Sequence, residues 1–366
     1  MRKIGIDARL YSQTGVGTYL KNLIYYLEKK NLEDEIIYVY LLPEDYISIN
    51  FKNKNIIKRK VNYRWHTFGE QIGFALKLYQ DDLNLMHFTY FSYPILYFKK
   101  FVATVHDATP LLFKTGKAST KNQFVYQIKH LFFRIILWCQ VNRAMKIIAP
   151  TNTVRKQLIN IYGNKISEKI ISIYEGVSYQ IKEAKENISL TKKFNKFFIY
   201  VGNFYPHKNV EKLIEAFKGV DKKYKLILLG PYDFFANRIN KCINTFELNQ
   251  NVILLKNPTL SDLVFFYKNA KALIHPSLSE GFGLPLIEAM YFNCPIIASN
   301  TEVFKELLGD NYSSIDPNSV EDITGKINSF IENKSKFDYK NLIQKYSFKK
   351  MTEETLRIYQ NVLNIN

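Results

Sequence analysis

The sequence has few cysteines and none of the spacings that mark a zinc site. Only three cysteines occur in 366 residues, and Cys139, Cys242 and Cys294 lie far apart in apolar surroundings. This pattern excludes a disulfide-rich secreted scaffold and predicts reduced, buried thiols in a cytosolic protein. No H-E-x-x-H motif is present either, so we expect no bound metal.

Long apolar runs are also missing. The opening residues, MRKIGIDARL, are typical of a short first strand, because the apolar core of a signal peptide does not follow them. No run approaches the roughly 18 apolar residues that a bilayer-spanning helix needs. We therefore expect a cytoplasmic protein, either soluble or peripheral at the inner face of the cell membrane.

Acidic residues are scarce relative to basic residues. The sequence has 51 Lys and Arg against 33 Asp and Glu, which gives a net charge of +18. Such an excess predicts an anionic partner, either nucleic acid, an anionic membrane surface or a phosphorylated substrate. Compositional drift in this Lys- and Asn-rich sequence is the alternative source of the charge. The basic residues are dispersed and no nucleic-acid-binding motif occurs, so we expect no nucleic-acid partner.

Strand-like apolar runs alternate with helix-like stretches in two series. The first series has the runs KIGIDA (3–8), IIYVYLL (36–42), NLMHF (84–88), FVATVH (101–106) and KIIAP (146–150), and the second has FFIYVG (197–202), KLILLG (225–230), NVILL (251–255), KALIHP (271–276) and PIIAS (295–299). Such alternation predicts β-α-β units on parallel sheets whose strands are covered on both faces. We therefore predict an α/β protein of two doubly wound domains, with a polar linker at 178–195 and a ligand-binding cleft between the domains.

The stretch HPSLSEGFGLPLIEAM (275–290) combines a strand end, a glycine-containing loop and a helix start. KALIHP predicts a strand that ends near Pro276, and Pro285 suits the first turn of the helix that follows. Gly281 and Gly283 allow the backbone to approach a ligand closely or to take a positive φ. The stretch therefore predicts a ligand-binding loop at the carboxyl end of a strand.

Two glutamates flank this loop, and we expect Glu280 at its start and Glu288 in the first turn of the helix. Carboxylates accept hydrogen bonds from sugar and ribose hydroxyls, and the free N–H groups of a helix N-terminus suit a diphosphate. Together these groups favour a nucleotide sugar as the ligand. The alternative is that Glu288 only complements the helix dipole.

The stretch FFIYVGNFYPHKNVEKLIEAF (197–217) is the clearest helix entry in the sequence. Asn209 is a good N-cap, and an apolar helix face follows it. His207 and Lys208 then lie just before a helix N-terminus, where backbone N–H groups and a lysine form an anion site. The alternative is a solvated loop lysine.

Two glycines follow the first strand in the segment TGVGTY (14–19). Gly15 and Gly17 can bring N–H groups to a phosphate, although the G-x-G-x-x-G fingerprint is incomplete. TGKAS (115–119) is likewise no Walker A loop, because Leu111 stands where its first glycine belongs.

Histidines end two of the predicted strands. His106, followed by Asp107, ends FVATVH at the carboxyl edge of the sheet, where ligands bind, so we expect a functional role for it. His87 also ends a strand, and its role is left open.

The sequence of residues 121–143 predicts a long, mostly apolar helix with a narrow stripe of basic residues. Such a helix lies either at a membrane surface or between the sheet and its neighbours.

Together these motifs resemble those of the GT-B glycosyltransferases, specifically glycosyltransferase family 4. The resemblance covers most of the chain, and its most specific part is the Glu280-x7-Glu288 element. VGNFYPHKN, with Lys208, resembles the second landmark of the family. The segments that fit the same subgroup are GVGTY (15–19), Glu70-Gln71, VHDATPLLF (105–113) and the final YSF…EETLRIY segment (346–359). The resemblance implies an acceptor-binding Rossmann-like domain at 1–180, a nucleotide-sugar-binding one at 181–340 and a C-terminal helix, 341–366, that crosses back.

The resemblance also implies an activity: metal-independent, retaining transfer of a hexose from a nucleotide-diphosphate sugar, without a cofactor. GDP-mannose is the first candidate donor, and the acceptor is a glycan or a lipid-linked glycan of cell-surface polysaccharide synthesis, such as lipopolysaccharide or capsule. The implied catalytic residues are His106, Lys208 and Glu280. The implied donor contacts are Gly15, Gly17, Asn203, Lys208, Glu280, Gly281, Phe282, Gly283, Leu284 and Glu288. In these roles Lys208 neutralises the departing diphosphate, Glu288 holds the ribose hydroxyls and His106 contacts the sugar near the reacting carbon.

The sequence departs from the family pattern at two places. Asn203 stands where many members carry an arginine, which removes one phosphate-binding cation unless His207 or an N-terminal basic residue compensates. Asn293-Cys294 partly replaces the usual small residue before the next strand. Asn203 alone motivates an alternative function, a catalytically inactive GT-B module that binds a glycan or an anionic membrane.

Overall fold

A computed structural model describes residues 1–112, 123–333 and 337–365 of the chain. The segment TGKAS (115–119) lies outside the described residues. By their contacts the residues form two compact units, unit 1 (Met1–Glu175 with Ser347–Asn366) and unit 2 (Gly176–Tyr346). In the described ranges, no helix is long and apolar enough to cross a bilayer.

Helices and strands largely alternate along the described residues. Up to Ser172 the elements are β1 (Arg2–Asp7), α1 (Val16–Glu28), β2 (Glu35–Leu41), α2 (Pro43–Ser48), β3 (Ile56–Lys60), α3 (Ala75–Gln80, preceded by a π-helical turn at Glu70–Phe74), β4 (Leu85–Phe88), β5 (Phe101–Thr104), α4 (Thr109–Leu112), α5 (Gln123–Arg143), β6 (Lys146–Ala149), α6 (Asn152–Tyr162) and β7 (Ile170–Ser172). They are followed by α7 (Tyr179–Glu183), β8 (Phe197–Val201), α8 (Val210–Ala216), β9 (Lys225–Gly230), α9 (Phe234–Thr245), β10 (Val252–Lys256), α10 (Leu260–Asn269), β11 (Leu273–His275), α11 (Leu284–Tyr291), β12 (Ile296–Ser299), α12 (Glu302–Leu308), β13 (Ser313–Ile315), α13 (Val320–Asn333) and α14 (Phe348–Leu363).

Each unit is built on a parallel sheet. The seven-stranded sheet of unit 1 has the order β3-β2-β1-β4-β5-β6-β7, and the six-stranded sheet of unit 2 has the order β10-β9-β8-β11-β12-β13. All recorded strand pairs are parallel. In both sheets the strand order reverses beside the first strand, which is the doubly wound Rossmann pattern. The crevices at these reversals lie between β1 and β4 in unit 1 and between β8 and β11 in unit 2.

The strands form because their side chains are almost entirely apolar and are covered on both faces. All five residues of β8, FFIYV, are buried, as are all four of β12. Each predicted apolar run contains a strand, so the predicted alternation is confirmed. The sequence pattern missed β3, β7 and β13, because these strands are short or lie at an edge and carry polar residues, as in IIKRK and SSI.

Helix α14 packs within unit 1, against α1 and β4. The side chain of Ser347 caps its first turn, and its apolar face, which includes Met351, Ile358 and Tyr359, is buried. The Tyr359 hydroxyl lies 2.5 Å from Nδ1 of His87, whose Nε2 contacts the Thr104 hydroxyl at 2.8 Å. Burial, together with the charge of a nearby histidine, lowers the pKa of His87 to about 3. The neutral imidazole therefore ties α14 to the end of β4, which is a structural role.

The predicted linker at 178–195 is not an open connection. It contains α7, which Ser178 caps through its side chain, and a 3-10 turn at Ile188–Lys192. Asn187 Nδ2 donates to Asp262 on α10 at 2.7 Å. The polar composition of this segment therefore reflects a short surface helix packed on unit 2. The predicted free thiols are observed at all three cysteines, although Cys242 is only half-buried.

Candidate functional site

The strand reversal in unit 2 brings together two segments that are about seventy residues apart in sequence. Gly202–Asn209 follows β8, and Pro276–Gly283 follows β11, its neighbour in the sheet. The backbone N–H of Leu278 donates to the carbonyl of His207 at 2.8 Å. Both segments therefore lie at the carboxyl edge of the sheet, where open parallel sheets bind ligands.

An ion pair joins the two segments. Lys208 Nζ lies 2.6 Å from Glu280 Oε1, and both side chains are largely buried. The same oxygen receives hydrogen bonds from Ser277 Oγ at 2.8 Å and His275 Nε2 at 2.9 Å. Three side chains from the two segments thus donate to one carboxylate oxygen of Glu280.

The charges around Glu280 keep it ionised. Burial alone would raise its pKa, but the Lys208 ammonium and the hydrogen bond from His275 together hold that pKa well below its usual range. His275 is itself buried and stacks on the Tyr200 ring at 5.7 Å. Sequence reasoning missed His275 and Ser277, although both stand in the quoted stretch 275–290. Their proximity to Glu280 depends on how the loop folds back over the strand end.

The second carboxylate has a different environment. Glu288 is the fifth residue of α11, so the prediction of a place in the first helical turn is wrong, and that turn holds no acidic residue. The helix starts at Leu284, and Glu288 lies one turn farther along. Its Oε2 accepts a hydrogen bond from the buried Tyr267 hydroxyl at 2.8 Å. Burial raises the pKa of Glu288 to about 7, and the Tyr267 hydrogen bond offsets only part of this effect. An interaction with the helix dipole therefore does not explain this glutamate.

The loop between the two glutamates has the predicted special backbone at one glycine. Gly283 has φ 91° and ψ 59° and precedes α11, whose first turn contains Pro285 as predicted. A Cβ at Gly283 would also approach the Leu286 side chain at 3.2 Å. Phe282 is buried and packs edge-on against Tyr346 at 5.9 Å. Apolar packing of Phe282 therefore holds the loop in place. Gly281 precedes Phe282 in the loop, and Leu284 is the first residue of α11.

Asn209 occupies the predicted N-cap position of α8 but does not cap the helix with its side chain. It takes a left-handed conformation, with φ 60°. Its Nδ2 instead donates to the carbonyls of Pro276 at 3.2 Å and Pro317 at 2.7 Å. The amide therefore clamps the Lys208 segment to the ends of β11 and β13, which is a tertiary contact that the local pattern could not reveal.

Two polar atoms near Lys208 are buried without a partner among the described residues. They are Asn203 Oδ1 and His207 Nδ1. Burial, with the adjacent Lys208 charge, lowers the pKa of His207 to about 4, so its imidazole is neutral. Buried polar atoms without partners are rare in folded proteins, and they mark places where a ligand can complete the hydrogen bonding. They lie at the segment where the sequence predicts diphosphate binding.

In unit 1, His106 follows β5 and is engaged on both ring nitrogens. Nε2 lies 3.0 Å from the Thr89 carbonyl, and Nδ1 lies 3.3 Å from Glu175 Oε1. The ring also packs edge-on against Tyr19 at 4.8 Å. Because a carbonyl only accepts hydrogen bonds, Nε2 carries a hydrogen. In this arrangement the imidazole is not open as a general base. Sequence reasoning missed Glu175, which follows the short strand β7.

A buried ionic cluster lies at the strand reversal of unit 1. The Arg9 guanidinium pairs with Asp7 at 2.6 Å and with Glu70 at 2.7 Å, and all three side chains are almost fully buried. Arg9 also lies over the Phe74 ring, 4.0 Å from its centroid. Only Glu70 was singled out from the sequence. Asp7 and Arg9 are two residues apart, but Glu70 is 61 residues from Arg9, so no local pattern signals that it pairs with Arg9.

The glycines of the TGVGTY segment differ in what they require. Gly15 precedes α1 with φ 68°, and a Cβ there would meet open space, since no heavy atom lies within 4 Å of that position. Gly17 lies inside α1, and a Cβ there would come within 2.5 Å of the Tyr11 carbonyl oxygen. Close packing against Tyr11 is therefore sufficient to account for Gly17, whether or not it also approaches a phosphate.

Across the described ranges, no group of three or more His, Cys, Asp or Glu side chains is arranged to hold a metal ion.

Two family models match adjacent halves of the chain. The model described as Glycosyltransferase Family 4 matches residues 13–180, and the one described as Glycosyl transferases group 1 matches residues 181–349. Among curated proteins, the O-antigen chain mannosyltransferase RfbU of Salmonella typhimurium is 30% identical over 260 residues, which is 67% of this chain and 72% of that protein. The O-antigen chain mannosyltransferase B of Escherichia coli is 24% identical over 274 residues, covering 71% of this chain and 70% of that protein.

Solved structures share the fold at low sequence identity. A sucrose-phosphate synthase from Thermosynechococcus elongatus superposes with a TM-score of 0.78 at 15% identity and covers all of both chains. The Anabaena protein HepE, in complex with UDP and glucose, superposes with a TM-score of 0.74 at 16% identity, covering 99% of this chain and all of that chain. The predicted GT-B class is confirmed. From the family models, the relative at 30% identity and the two doubly wound sheets, we conclude that the chain belongs to glycosyltransferase family 4, of the group 1 type.

Proposed function

We propose that the chain is a retaining hexosyltransferase that moves mannose from GDP-mannose to a glycan or lipid-linked acceptor in the synthesis of a cell-surface polysaccharide. The observation that carries the proposal is the Lys208–Glu280 pair at the strand reversal of unit 2, with three donors on one carboxylate oxygen. An ionised carboxylate beside a cation suits a ligand that presents hydroxyls next to phosphates.

The first role in this proposal belongs to Lys208. Its ammonium is held in place by Glu280 at 2.6 Å before any donor arrives. A diphosphate beside it gains a charge-assisted contact, and the leaving group gains more, because its negative charge grows as the glycosidic bond breaks. The buried Nδ1 of His207 has no partner among the described residues, and in the tautomer that carries its hydrogen there it donates to a diphosphate oxygen. Asn203 can donate through its amide, which partly replaces the missing arginine.

The second role belongs to the two glutamates. Oε2 of Glu280 accepts a hydroxyl of the donor sugar, while Oε1 stays with its protein donors. Glu288 accepts the ribose hydroxyls. Hydroxyl donors favour the ionised form of a carboxylate, so donor binding lowers the pKa of Glu288 from about 7. Donor affinity therefore rises with pH up to about 7 and then levels off.

The bond changes follow from the retaining outcome. The acceptor oxygen forms a bond to the anomeric carbon on the face from which the diphosphate leaves, and the bond from that carbon to the diphosphate oxygen breaks. The acceptor proton passes to a diphosphate oxygen. His106 contacts the sugar without taking this proton, since both of its ring nitrogens face protein acceptors. The reaction needs no metal, because Lys208 supplies the positive charge.

The sugar and the pathway rest on relatives. Two of the similar curated proteins are O-antigen chain mannosyltransferases, and another is named for capsular polysaccharide biosynthesis, CapM of Staphylococcus aureus. These names favour mannose and a surface polysaccharide for this chain as well.

A donor panel tests the proposal. The protein is incubated with GDP-mannose, UDP-glucose and UDP-galactose, and nucleoside diphosphate release is measured with and without EDTA. We expect release from GDP-mannose that EDTA leaves unchanged. Lys208→Ala should lower the rate by about 10²–10³-fold. Its matched control is Lys212→Ala, because Lys212 is a half-buried lysine that bonds the Asn318 carbonyl in the same unit. Equal rates for the two variants would contradict the role of Lys208.

The alternative function is an inactive module that binds a glycan or an anionic membrane, and the absence of an arginine at Asn203 favours it. Glu280→Gln separates the two functions, because it removes a charge from the site and retains the side-chain volume. In a complementation assay for the surface polysaccharide, loss of product with the variant supports an enzyme. Full complementation by Glu280→Gln supports the module.

A further inference from the structure

Helix α5 of unit 1 carries apolar side chains on two faces. Leu137 and Val141 are fully buried and pack in the core of unit 1. Leu131, Ile135 and Trp138 are spaced i, i+4 and i+7, so they share one face, and they are 58%, 44% and 57% exposed. The buried face explains how the helix packs, but the exposed apolar stripe has no packing role within the described chain.

The stripe borders a groove shared with α6. A cavity of about 690 Å³ lies between the two helices, lined by Leu131, Ile135 and Trp138 from α5 and by Ile161 and Tyr162 from α6. Ile161 is also exposed. Arg134 is the charged residue of this lining. The exposed apolar surface is therefore contiguous across two helices, and surfaces of this kind mark interaction sites.

The two helices that form the groove carry charge of one sign. Helices α5 and α6 together contain five Lys or Arg and no Asp or Glu. The same asymmetry extends to the whole unit. Residues 1–175 and 347–366 hold 29 Lys and Arg against 15 Asp and Glu, whereas residues 176–346 hold 22 against 18. Most of the net charge of +18 is thus in the unit that presents the apolar stripe.

We propose that the α5–α6 surface, formed by Leu131, Ile135, Trp138 and Ile161 with Arg134, docks unit 1 on an anionic lipid bilayer. Apolar side chains that insert at the depth of the headgroups, surrounded by basic residues, are the features that bind a helix in the plane of a membrane. Tryptophan favours this interface because its ring is apolar and its N–H is polar. This docking does not depend on the donor sugar or on catalysis. Both predicted locations of the helix then apply, because one face is buried in the core of unit 1 and the other contacts the membrane.

Vesicle binding of the full-length protein tests the inference. The vesicles are either phosphatidylcholine alone or equal parts of phosphatidylcholine and phosphatidylglycerol, and the bound fraction is measured by flotation. We expect binding to the anionic vesicles only, weakened by salt. Ile135→Glu should lower the partition coefficient by about tenfold or more, because it places a charge where an apolar side chain inserts. The matched control is Ile47→Glu on α2, an exposed isoleucine in the same unit whose helix already carries two acidic residues. It should bind like the wild type.

Tryptophan fluorescence provides a second measurement that leaves the surface intact. The chain has two tryptophans, so Trp65→Phe leaves Trp138 as the single reporter. We expect a blue shift and quenching by brominated lipid in anionic vesicles. No quenching, or equal binding by Ile135→Glu and the wild type, would overturn the proposal. Leu76→Glu tests another exposed apolar site, on α3, and loss of binding in that variant alone would also overturn it. Sedimentation tests whether the surface instead binds a second copy of the chain. If the wild type is a dimer, and Ile135→Glu dissociates it without changing vesicle binding, the surface is a dimer interface and the proposal is overturned.

Discussion

The unusual protonation of Glu288 makes a quantitative prediction about stability. Its carboxyl is buried against Tyr267, and its pKa is about 7 instead of the ordinary 4.5. Below about pH 4.5 the carboxyl is protonated in both the folded and the unfolded chain. Between these values only the unfolded chain releases the proton, and above about pH 7 the folded protein carries a buried charge. Wild-type stability therefore falls as pH rises through this window, relative to a variant that cannot ionise.

Glu288→Gln is that variant. Its amide oxygen still accepts the hydrogen bond from Tyr267, and the side-chain volume is nearly unchanged. At about 1.4 kcal/mol for each unit of pKa, the full penalty of ionisation is about 3 kcal/mol. Between about pH 5 and about pH 8, the stability of the variant relative to the wild type should rise by about 2.5 kcal/mol. Costs of the substitution that do not depend on pH cancel in this comparison.

Urea unfolding at the two pH values measures the effect. Both tryptophans, Trp65 and Trp138, lie in unit 1, so fluorescence follows unit 1, and a transition seen only by circular dichroism belongs to unit 2. Glu302→Gln is the control, because Glu302 is an exposed carboxylate of unit 2 with 76% of its side chain accessible. The control should show no such gain. An equal stability difference at both pH values for Glu288→Gln would refute the reasoning.

Three further tests, two of them with a control substitution, examine packing and ion pairing within the two units. Asn209→Gly keeps the left-handed backbone but removes two side-chain hydrogen bonds, so it should destabilise unit 2 by about 1–3 kcal/mol, measured by urea unfolding; no loss would contradict the clamp. Gly17→Ala places a methyl against a carbonyl oxygen and should lower the melting temperature, whereas Gly325→Ala, in an open position of α13, should raise stability by about 0.5–1 kcal/mol. If Gly17→Ala raised stability as Gly325→Ala does, the protein would have relaxed the close approach in α1 at little cost in free energy. Glu70→Gln should cost about 3 kcal/mol because it breaks a buried ion pair, while Glu353→Gln at a surface pair should change stability by less than about 1 kcal/mol; calorimetry compares the two.

The family motifs were readable from the sequence because they depend on local geometry. The run KALIHP is apolar because both faces of its strand are covered, and it ends where a proline and a glycine loop begin. Pro285 begins a helix because its fixed φ suits the first turn. Such features require only neighbouring residues, so the strand, the loop and the helix start were predicted at nearly their observed positions.

The partners of the site residues were not readable. Glu280 and Lys208 are 72 positions apart, and they meet because β8 and β11 are adjacent at the point where the strand order reverses. His275 and Ser277 stand in the quoted stretch, but no pattern shows that both donate to the same oxygen as Lys208. The fold of the loop decides this geometry.

Helix α5 shows the same division. Its composition, apolar with a few basic residues, is consistent with burial and with a membrane surface, and the sequence left both open. Only packing shows that Leu137 faces the core and that Trp138 does not. Leu137 and Trp138 are neighbours in sequence, yet one is buried and the other is exposed. The sequence does not show which side of the helix faces the sheet.

The sequence by itself determined two alternating α/β series, the glycine loop with its two glutamates and the membership in a glycosyltransferase family. Tertiary structure alone decided that a lysine from another strand end keeps Glu280 ionised and that burial raises the pKa of Glu288 to about 7 despite its hydrogen bond from Tyr267. It also decided that Asn209 bonds two distant carbonyls instead of capping its helix. The reason is physical. Periodicity along the chain encodes which side chains must be covered, whereas charge, pKa and hydrogen bonding depend on which element covers them.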